Sequence, residues 1–507
     1  MAATQRTASN RAQKVVHHSK FRNIYGQAAK KQESYEGVPV SSNMFENNYS
    51  CVNPKFLAIA TKATGCFTVI DLKHTGRQGN YVQIKHSGSQ LMDLKWNPFN
   101  DRVLATSADD GTIKIWVIPE GGLKEGDATL EPLRVISHHK KRVYTMEWHP
   151  SAENILATSS ADCTAAVLDV GAASDKEVVV SKTEMHGDFV FQVCWDYEGE
   201  RIFTLGKEQI LRSFDARTGE LIMKASGPAH ELKRATKMGA LGKTNLLVTT
   251  GFSSLQQPEL KFWKMDDIDT CVVTHPCGEG SGCLFPFFDT DSSVLYVAAR
   301  GEVTIRYFEI VVSDDGEVKL YDLFLFNSQT SQKSMCFMPK RGLDFMDCEI
   351  MRSYKLLNSS PMVEPVSFFV PRRAEGFQED LYPPTVGVEP AMSAKEWVGG
   401  KKSGPLLVPI QDIPRETSRD APEAFAEANG EDTSELMAQK TKLEAQVASL
   451  KTELKSAKDT IEAKNVELSN LTLQLESSKS NLQTAEDELA KLKSAEKETT
   501  SAEPEAE

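Results

Sequence analysis

Ser107-Ala108-Asp109-Asp110-Gly111-Thr112-Ile113-Lys114-Ile115-Trp116 is a strand of small residues, a tight acidic turn and a second strand that ends on tryptophan. Upstream of it, His86 is followed ten residues later by Trp96. The same order returns at His139 with Trp148 and at His186 with Trp195, so three segments align: His86 to Trp116, His139 to Asp169, and His186 to Asp215. A period near fifty residues built from short strands is the mark of a WD-repeat β-propeller, one four-stranded blade per copy.

Within each copy the polar residues read as structural. A histidine at the blade entrance can bond a turn aspartate, Asp110 or Asp162, while the terminal Trp116 fills the space between blades. Leu168 and Phe214 stand where Trp116 stands, and Glu208 replaces the turn aspartate, so apolar bulk is kept although identity is not. Weaker strand blocks at 245–250, 259–263, 294–298, 303–310 and 321–326, with a further blade over 45–72, bring the expectation to seven blades. A closed ring leaves no long exposed edge.

The last eighty residues change period. Their a/d seam runs through Leu436, Leu443, Val447, Leu450, Leu454, Ile461, Leu468, Leu471, Leu475, Leu482, Leu489 and Leu492, with Lys440, Lys464 and Ser478 as polar exceptions. A 3.5-residue repeat sustained for about eight heptads predicts an α-helical coiled coil, and hence a homo-oligomer. Glu453 and Glu488 at g precede Lys458 and Lys493 at e, as parallel neighbours require, whereas Ala457 and Ala485 suit close antiparallel packing. The ladder therefore specifies association without specifying strand number or direction.

Composition narrows the function class. The net charge of -13 argues against a nucleic-acid partner, which would demand clustered cations. Yet the first 31 residues hold Arg6, Arg11, Lys14, Lys20, Arg22, Lys30 and Lys31 and no acid, which reads as a basic arm able to touch an acidic surface. No apolar run is long enough for a transmembrane segment or a signal peptide, and a cytoplasmic protein is expected. Cys271, Cys277 and Cys283, with His275 among them, lack the spacing of structural zinc ligands and read as buried thiols. Gly239 and Gly242 before Lys243-Thr244 are too close together for a phosphate loop and read as a turn. No catalytic constellation, cofactor site or metal site is expected.

Several blocks are more specific than the repeat itself: 19–27 (SKFRNIYGQ), 52–58 (VNPKFLA), 286–289 (PFFD), 305–309 (IRYFE), 338–343 (MPKRGL), 377–385 (FQEDLYPPT), and Glu396-Trp397. In these the chain closely resembles the coronins. The resemblance implies an all-β seven-bladed propeller with a packed C-terminal extension, a flexible linker and a coiled coil. The domains then fall at 1–19 (basic arm), 20–355 (propeller), 356–410 (extension), 411–431 (linker), 432–496 (coiled coil) and 497–507 (acidic tail). It further implies an F-actin-binding regulator at the actin cytoskeleton and cell cortex that works with the actin-related-protein nucleation complex and with cofilin. Lys14, Lys20, Arg22, Lys30 and Lys31 are the candidate filament contacts. One departure stands out: many relatives carry Arg between the apolar residues that here are Val38 and Val40, and this chain has Pro39. Nor does any Arg follow Arg419 to make the Arg–Glu pair of coronin trimers. The competing expectation is a WD-repeat scaffold in membrane traffic or signalling, whose arm would use Val15, Val16, Phe21 and Ile24 against a lipid surface.

Overall fold

The computed structural model describes residues 19–41, 47–77, 79–234, 236–374 and 376–417, then 446, 449, 456, 460, 464–465, 467–472 and 474–491. The chain divides into two compact units, Met1–Asn429 and Gly430–Glu507.

The first unit is a ring of seven sheets, antiparallel except where Tyr35–Glu36 pairs in parallel with Gly76–Arg77. From the centre outward, blade 1 is Ser50–Val52, Phe56–Ala60, Cys66–Asp71 and Ile84–Lys85, and blade 2 is Leu91–Trp96, Val103–Ala108, Ile113–Val117 and Arg134–Ile136. Blades 3 to 6 repeat the plan, with inner strands Val143–Trp148, Val190–Trp195, Lys237–Ala240 and Leu284–Asp289. Blade 7 takes three strands from the far end of the ring, Gln332–Phe337, Glu349–Leu357 and Met362–Phe369. Its outer edge comes from the N-terminal segment: Tyr25–Ala28 pairs with residues 366–369, and Tyr35–Glu36 with residues 362–363.

That closure moves an expected boundary. The propeller runs past 355 because Met362–Phe369 is a full blade strand, although Pro365 within it argues against one at the sequence level. Pro365 lies where the outer partner changes from one N-terminal piece to the other, and its carbonyl accepts from the Ala29 N–H at 2.8 Å. The carbonyl thus serves that side of the ladder, and the one bond the proline forgoes is the return N–H bond to Ala29 at the end of the pairing.

The recurrent His and Trp residues do separate jobs. Each inner-strand tryptophan donates its indole N–H to the neighbouring blade's inner strand: Trp96 to Cys51 O (3.1 Å), Trp148 to Lys95 O (3.1 Å) and Trp195 to Glu147 O (3.0 Å). Each entrance histidine ties one blade internally. His86 bonds the hydroxyls of Thr106 (2.7 Å) and Thr112 (2.9 Å), and Trp116 donates to Thr106 (2.8 Å). The His–Asp bond expected across the blade is direct only at His139 and Asp162, 3.0 Å; Asp110 reaches His86 through Thr112, and Glu208 pairs with Arg212 instead. Blade 5 carries a set that the repeat scan missed: His230 bonds Glu259 and Thr249, each at 2.9 Å, and Trp263 donates to Thr249.

Residues after the ring form a strap across one of its ends. Tyr382 donates to Glu349 O (2.8 Å), and Thr385–Val386 pairs with Leu407–Val408 beside the channel mouth. Between these strands the chain reaches blades 3 and 4, where the short helix Ala394–Val398, capped by Ser393, buries Trp397. Its ring lies 5.0 Å from His149, 5.9 Å from Trp195 and 4.7 Å from the Arg217 guanidinium. Returning, the strap ends on Asp101, which pairs with Arg341 (2.9 Å) and accepts from the Thr417 backbone N–H (2.7 Å). Ile413, Arg415 and Thr417, expected in the linker, are thus packed on the propeller: Arg415 donates to Leu343 O, and Ile413 and Thr417 are buried.

In the second unit, residues 467–491 are helical wherever they are described. Leu468, Leu471, Leu475, Leu482 and Leu489 are 54–65% exposed on this single chain. Leu436, Leu443, Val447, Leu450, Leu454, Ile461 and Leu492 lie outside the described residues, as do the acidic tail and Lys14.

Two stability outcomes follow from the buried rings. Trp397→Ala is expected to cost about 3–5 kcal/mol, read as a fall in the denaturant midpoint. Burial holds His86, His149 and His186 at pKa values of about 4, below the ordinary 6.5, so between these values the unfolded chain binds more protons. Their contribution is whole above pH 6.5 and is lost as pH falls to 4, on the order of 3 kcal/mol each. Asp93, pushed up to about 6 by burial, works in the opposite sense and offsets one of the three. Urea midpoints measured from pH 7 to 4.5 should fall steadily; a flat profile contradicts the assignment.

Candidate functional site

The seven inner strands enclose a channel cavity of about 720 Å³. Its wall is mixed, and the charged groups in it are matched. Lys95 Nζ meets Glu147 Oε2 at 2.8 Å, and Asp93 accepts backbone N–H bonds from Leu94 and Met146, each at 2.9 Å. Burial drives the Cys51 and Cys194 thiols well up and that of Cys336 to about 12, which keeps all three protonated and poor as nucleophiles. At the end where the chain enters each inner strand, Asn47 bridges four blades. Its amide donates to Met92 O (3.1 Å) and Tyr144 O (2.6 Å), Lys237 donates to its side-chain oxygen (2.7 Å), and Arg300 to its backbone carbonyl (3.0 Å). The channel is built as packing, with a polar plug.

Near that plugged end, blades 3 to 5 present cations over aromatic rings. Lys141 and Lys207 stand 5.8 and 5.5 Å from the centre of the same Phe189 ring; Arg142 lies 5.9 Å from that of Tyr144, and Arg234 5.1 Å from that of Phe252. Tyr144 packs edge-on against Phe191, fixing the platform between blades 3 and 4. Lys140 and Lys233 are exposed beside them. Two carboxylates temper the sector: Asp109 pairs with Arg142 (2.7 Å) and Asp188 lies 3.9 Å from Lys207. Cation–aromatic contacts at exposed sites contribute about 0.5–1 kcal/mol each, and here they orient the ammonium groups while leaving them in water. The run Lys140-Lys141-Arg142 was visible in the sequence, but Lys207 and Arg234 join it only through the fold.

The candidate contacts from the N-terminal segment sit elsewhere, along the outer rim of blade 7. Lys20 donates to Asp380 O, Arg22 is exposed, the Lys30 backbone N–H bonds Glu33 (3.1 Å), and Lys31 lies 3.5 Å from Glu36. Phe21 and Ile24, expected to be available to a lipid surface, are instead buried in the core between blades 6 and 7 with Tyr296, Tyr307 and Phe368. Tyr307 donates to the Ile24 carbonyl at 3.0 Å. Val15 and Val16 lie outside the described residues. Among the described residues no cluster of His, Cys, Asp and Glu could hold a metal ion, and no helix is long and apolar enough to cross a membrane. Cys277 and Cys283 are buried and Cys271 half-buried, all three as thiols. The strand Lys237–Ala240 and the turn Gly242–Thr244 make the glycine pair an ordinary inter-strand connection.

Known proteins share this plan. WD-domain, G-beta repeat profiles match residues 79–117 and 130–169, another type of WD40 repeat matches 363–405, and a domain of unknown function (DUF1899) matches 14–77. Coronin-2A of Bos taurus is 36% identical over 399 residues, 78% of this chain and 74% of that one. The chain belongs to the coronin family. Coronin-2B of Xenopus tropicalis is 34% identical over 78% of this chain and 80% of its own. The WD40 domain of Toxoplasma gondii coronin superposes with a TM-score of 0.69 at 27% identity, covering 76% of this chain and 97% of that domain. As a coronin, the protein is an actin-related WD-repeat protein, in a family of non-enzymatic scaffolds. The coronin-like blocks now have places: residues 19–27 close blade 7, and residues 377–385 with Trp397 build the strap.

Asn47→Ala should destabilise the propeller by about 1–3 kcal/mol by stripping the buried Lys237 ammonium of an acceptor. Chemical denaturation measures it, and a loss below a few tenths of a kcal/mol contradicts the plug.

Proposed function

We propose that this coronin binds the side of actin filaments through its propeller and joins several propellers through its C-terminal helix. On this reading it crosslinks or bundles filaments at the cell cortex and modulates the actin-related-protein nucleation complex and cofilin-driven turnover. The observation that carries the filament contact is the sector of Lys140, Lys141, Arg142, Lys207, Lys233 and Arg234, four of them over aromatic rings and Arg142 also held by Asp109. Lys20, Arg22, Lys30 and Lys31 on the rim of blade 7, with Lys14 before them, supply a second cationic strip. At the position where Pro39 replaces the usual Arg, the Lys62 N–H donates to the Pro39 carbonyl at 2.9 Å, and its exposed side chain offers a cation beside the vacated place.

Support for association comes from Leu468, Leu471, Leu475, Leu482 and Leu489, more than half exposed on one chain and in a/d phase. Linked sites gain about 10² to 10⁴ in avidity without new contacts. Burial of Phe21 and Ile24 removes two of the four apolar residues on which a lipid-surface reading of the arm relied.

Cosedimentation with filamentous actin separates these elements. Truncation after Gly430 should weaken binding at least tenfold, and light scattering should change from a multiple of the 56.1 kDa chain to a single truncated copy. Lys141→Glu with Arg234→Glu should weaken both forms and flatten their salt dependence. Pelleting that none of these changes alters would sink the proposal.

A further inference from the structure

Ser360-Pro361 is the one place in the 507 residues where a serine or threonine precedes a proline. It lies in the hairpin that joins Glu349–Leu357 to Met362–Phe369, the second and third strands of blade 7. Strands alternate in direction within a blade, so this hairpin emerges at the same end of the ring as Lys62 and Lys207, which lie in the corresponding hairpins of blades 1 and 4. That end also carries the cationic sector.

The turn is open to a modifying enzyme. The last pair between its two strands is Leu356 with Val363, which leaves residues 357–362 beyond their ladder. Asn358, Ser359 and Pro361 are exposed and Ser360 is half-buried, and among the described residues no side-chain hydrogen bond engages the Ser360 hydroxyl. Two backbone bonds tie the turn to its neighbours: the Asn358 N–H donates to Ser331 O (2.9 Å), and the Val38 N–H to Pro361 O (3.0 Å). The second bond sets what a new charge would meet. Val38 leads into Pro39, whose carbonyl accepts from the Lys62 N–H at 2.9 Å, and the Lys62 side chain is exposed. Two hydrogen bonds and two residues of chain separate Lys62 from the turn, a gap comparable with the screening length of about 8–10 Å. A phosphate on the turn would bring a charge of about −1.5 to −2 beside that lysine.

We propose that Ser360 is the acceptor of a proline-directed protein kinase and that its phosphate weakens the filament contact by neutralising Lys62. In the transfer the Ser360 Oγ attacks the γ-phosphorus of ATP, the bond from that phosphorus to the bridging oxygen breaks, ADP leaves, and the hydroxyl proton passes to the kinase's catalytic aspartate. The regulatory half rests on the filament binding proposed above. The modification site does not.

The folded full chain, incubated with ATP and a mitogen-activated or a cyclin-dependent kinase, should gain one phosphate, and tandem mass spectrometry should place it on Ser360. Ser360→Ala should abolish the gain, and Ser359→Ala should keep it. In cosedimentation with filamentous actin at low salt, the phosphorylated chain should bind about three- to fivefold more weakly than the unmodified one, a difference that shrinks as salt rises. Lys62→Ala should bind as weakly as the phosphorylated chain, and phosphorylation should add nothing further to it. No uptake by the folded chain with either kinase, or phosphate on another residue, would overturn the site. Undiminished filament binding after phosphorylation, or an equal further loss in Lys62→Ala, would overturn the regulation. An unmodified chain that does not bind filaments removes the proposed function and the regulation together, while the uptake result still decides the site.

Discussion

Everything in the first unit depends on one strand pairing: Tyr25–Ala28 and Tyr35–Glu36 completing the outer edge of Met362–Phe369. A ring of sheets has no core until its ends meet, because each blade buries its faces against both neighbours. Here the meeting strands lie more than 300 residues apart, and they carry apolar anchors with them. Phe21 and Ile24 enter the core of blades 6 and 7 on one side of the pairing, and Val38 and Val40 enter that of blades 7 and 1 on the other. Burial of such side chains contributes about 1.5–3 kcal/mol each, so the closure is held by packing as much as by its few ladder bonds.

The strap is a second closure laid across the first. Its outward leg puts Trp397 between His149, Trp195 and Arg217, and its return leg ends on Asp101 and Arg341, which join the loops of blades 2 and 7. Asp101 is fully buried and its charge is answered by the Arg341 guanidinium and the Thr417 N–H, so loss of Arg341 leaves a costly unpaired ion. The strap therefore spans the ring from blades 3 and 4 to its seam.

Legibility in the sequence followed locality. Blades 2, 3 and 4 were readable because His, Trp and turn residues recur within thirty positions. Blade 5 was not recognised as a copy, since Glu259 takes the place of the turn aspartate and the His230 set carries no turn signature. Pro361 and Pro365 hid the last blade strand, and the polar composition around Arg415 hid the end of the strap. The cationic sector was the least legible: Phe189 receives Lys141 and Lys207 from connections sixty-six residues apart, a juxtaposition that only ring geometry creates. The heptad ladder was read from the sequence alone; of its leucines the structure describes Leu468, Leu471, Leu475, Leu482 and Leu489, exposed on a helix.

That exposure bears on how weak surface charges could hold a filament. The rim cations of blade 7 and the sector on blades 3 to 5 are solvent-exposed, and exposed ion pairs contribute at most about 1 kcal/mol each. Salt screens them over about 8–10 Å, so one propeller held by a handful of such contacts would bind weakly and release quickly. A helix of some 25 residues with one apolar seam gains little stability alone and much from a partner that covers its leucines. In the crosslinker proposed above the same five side chains answer two needs, order in the helix and multiplicity in the propellers, and surface contacts that are individually weak gain grip by repetition.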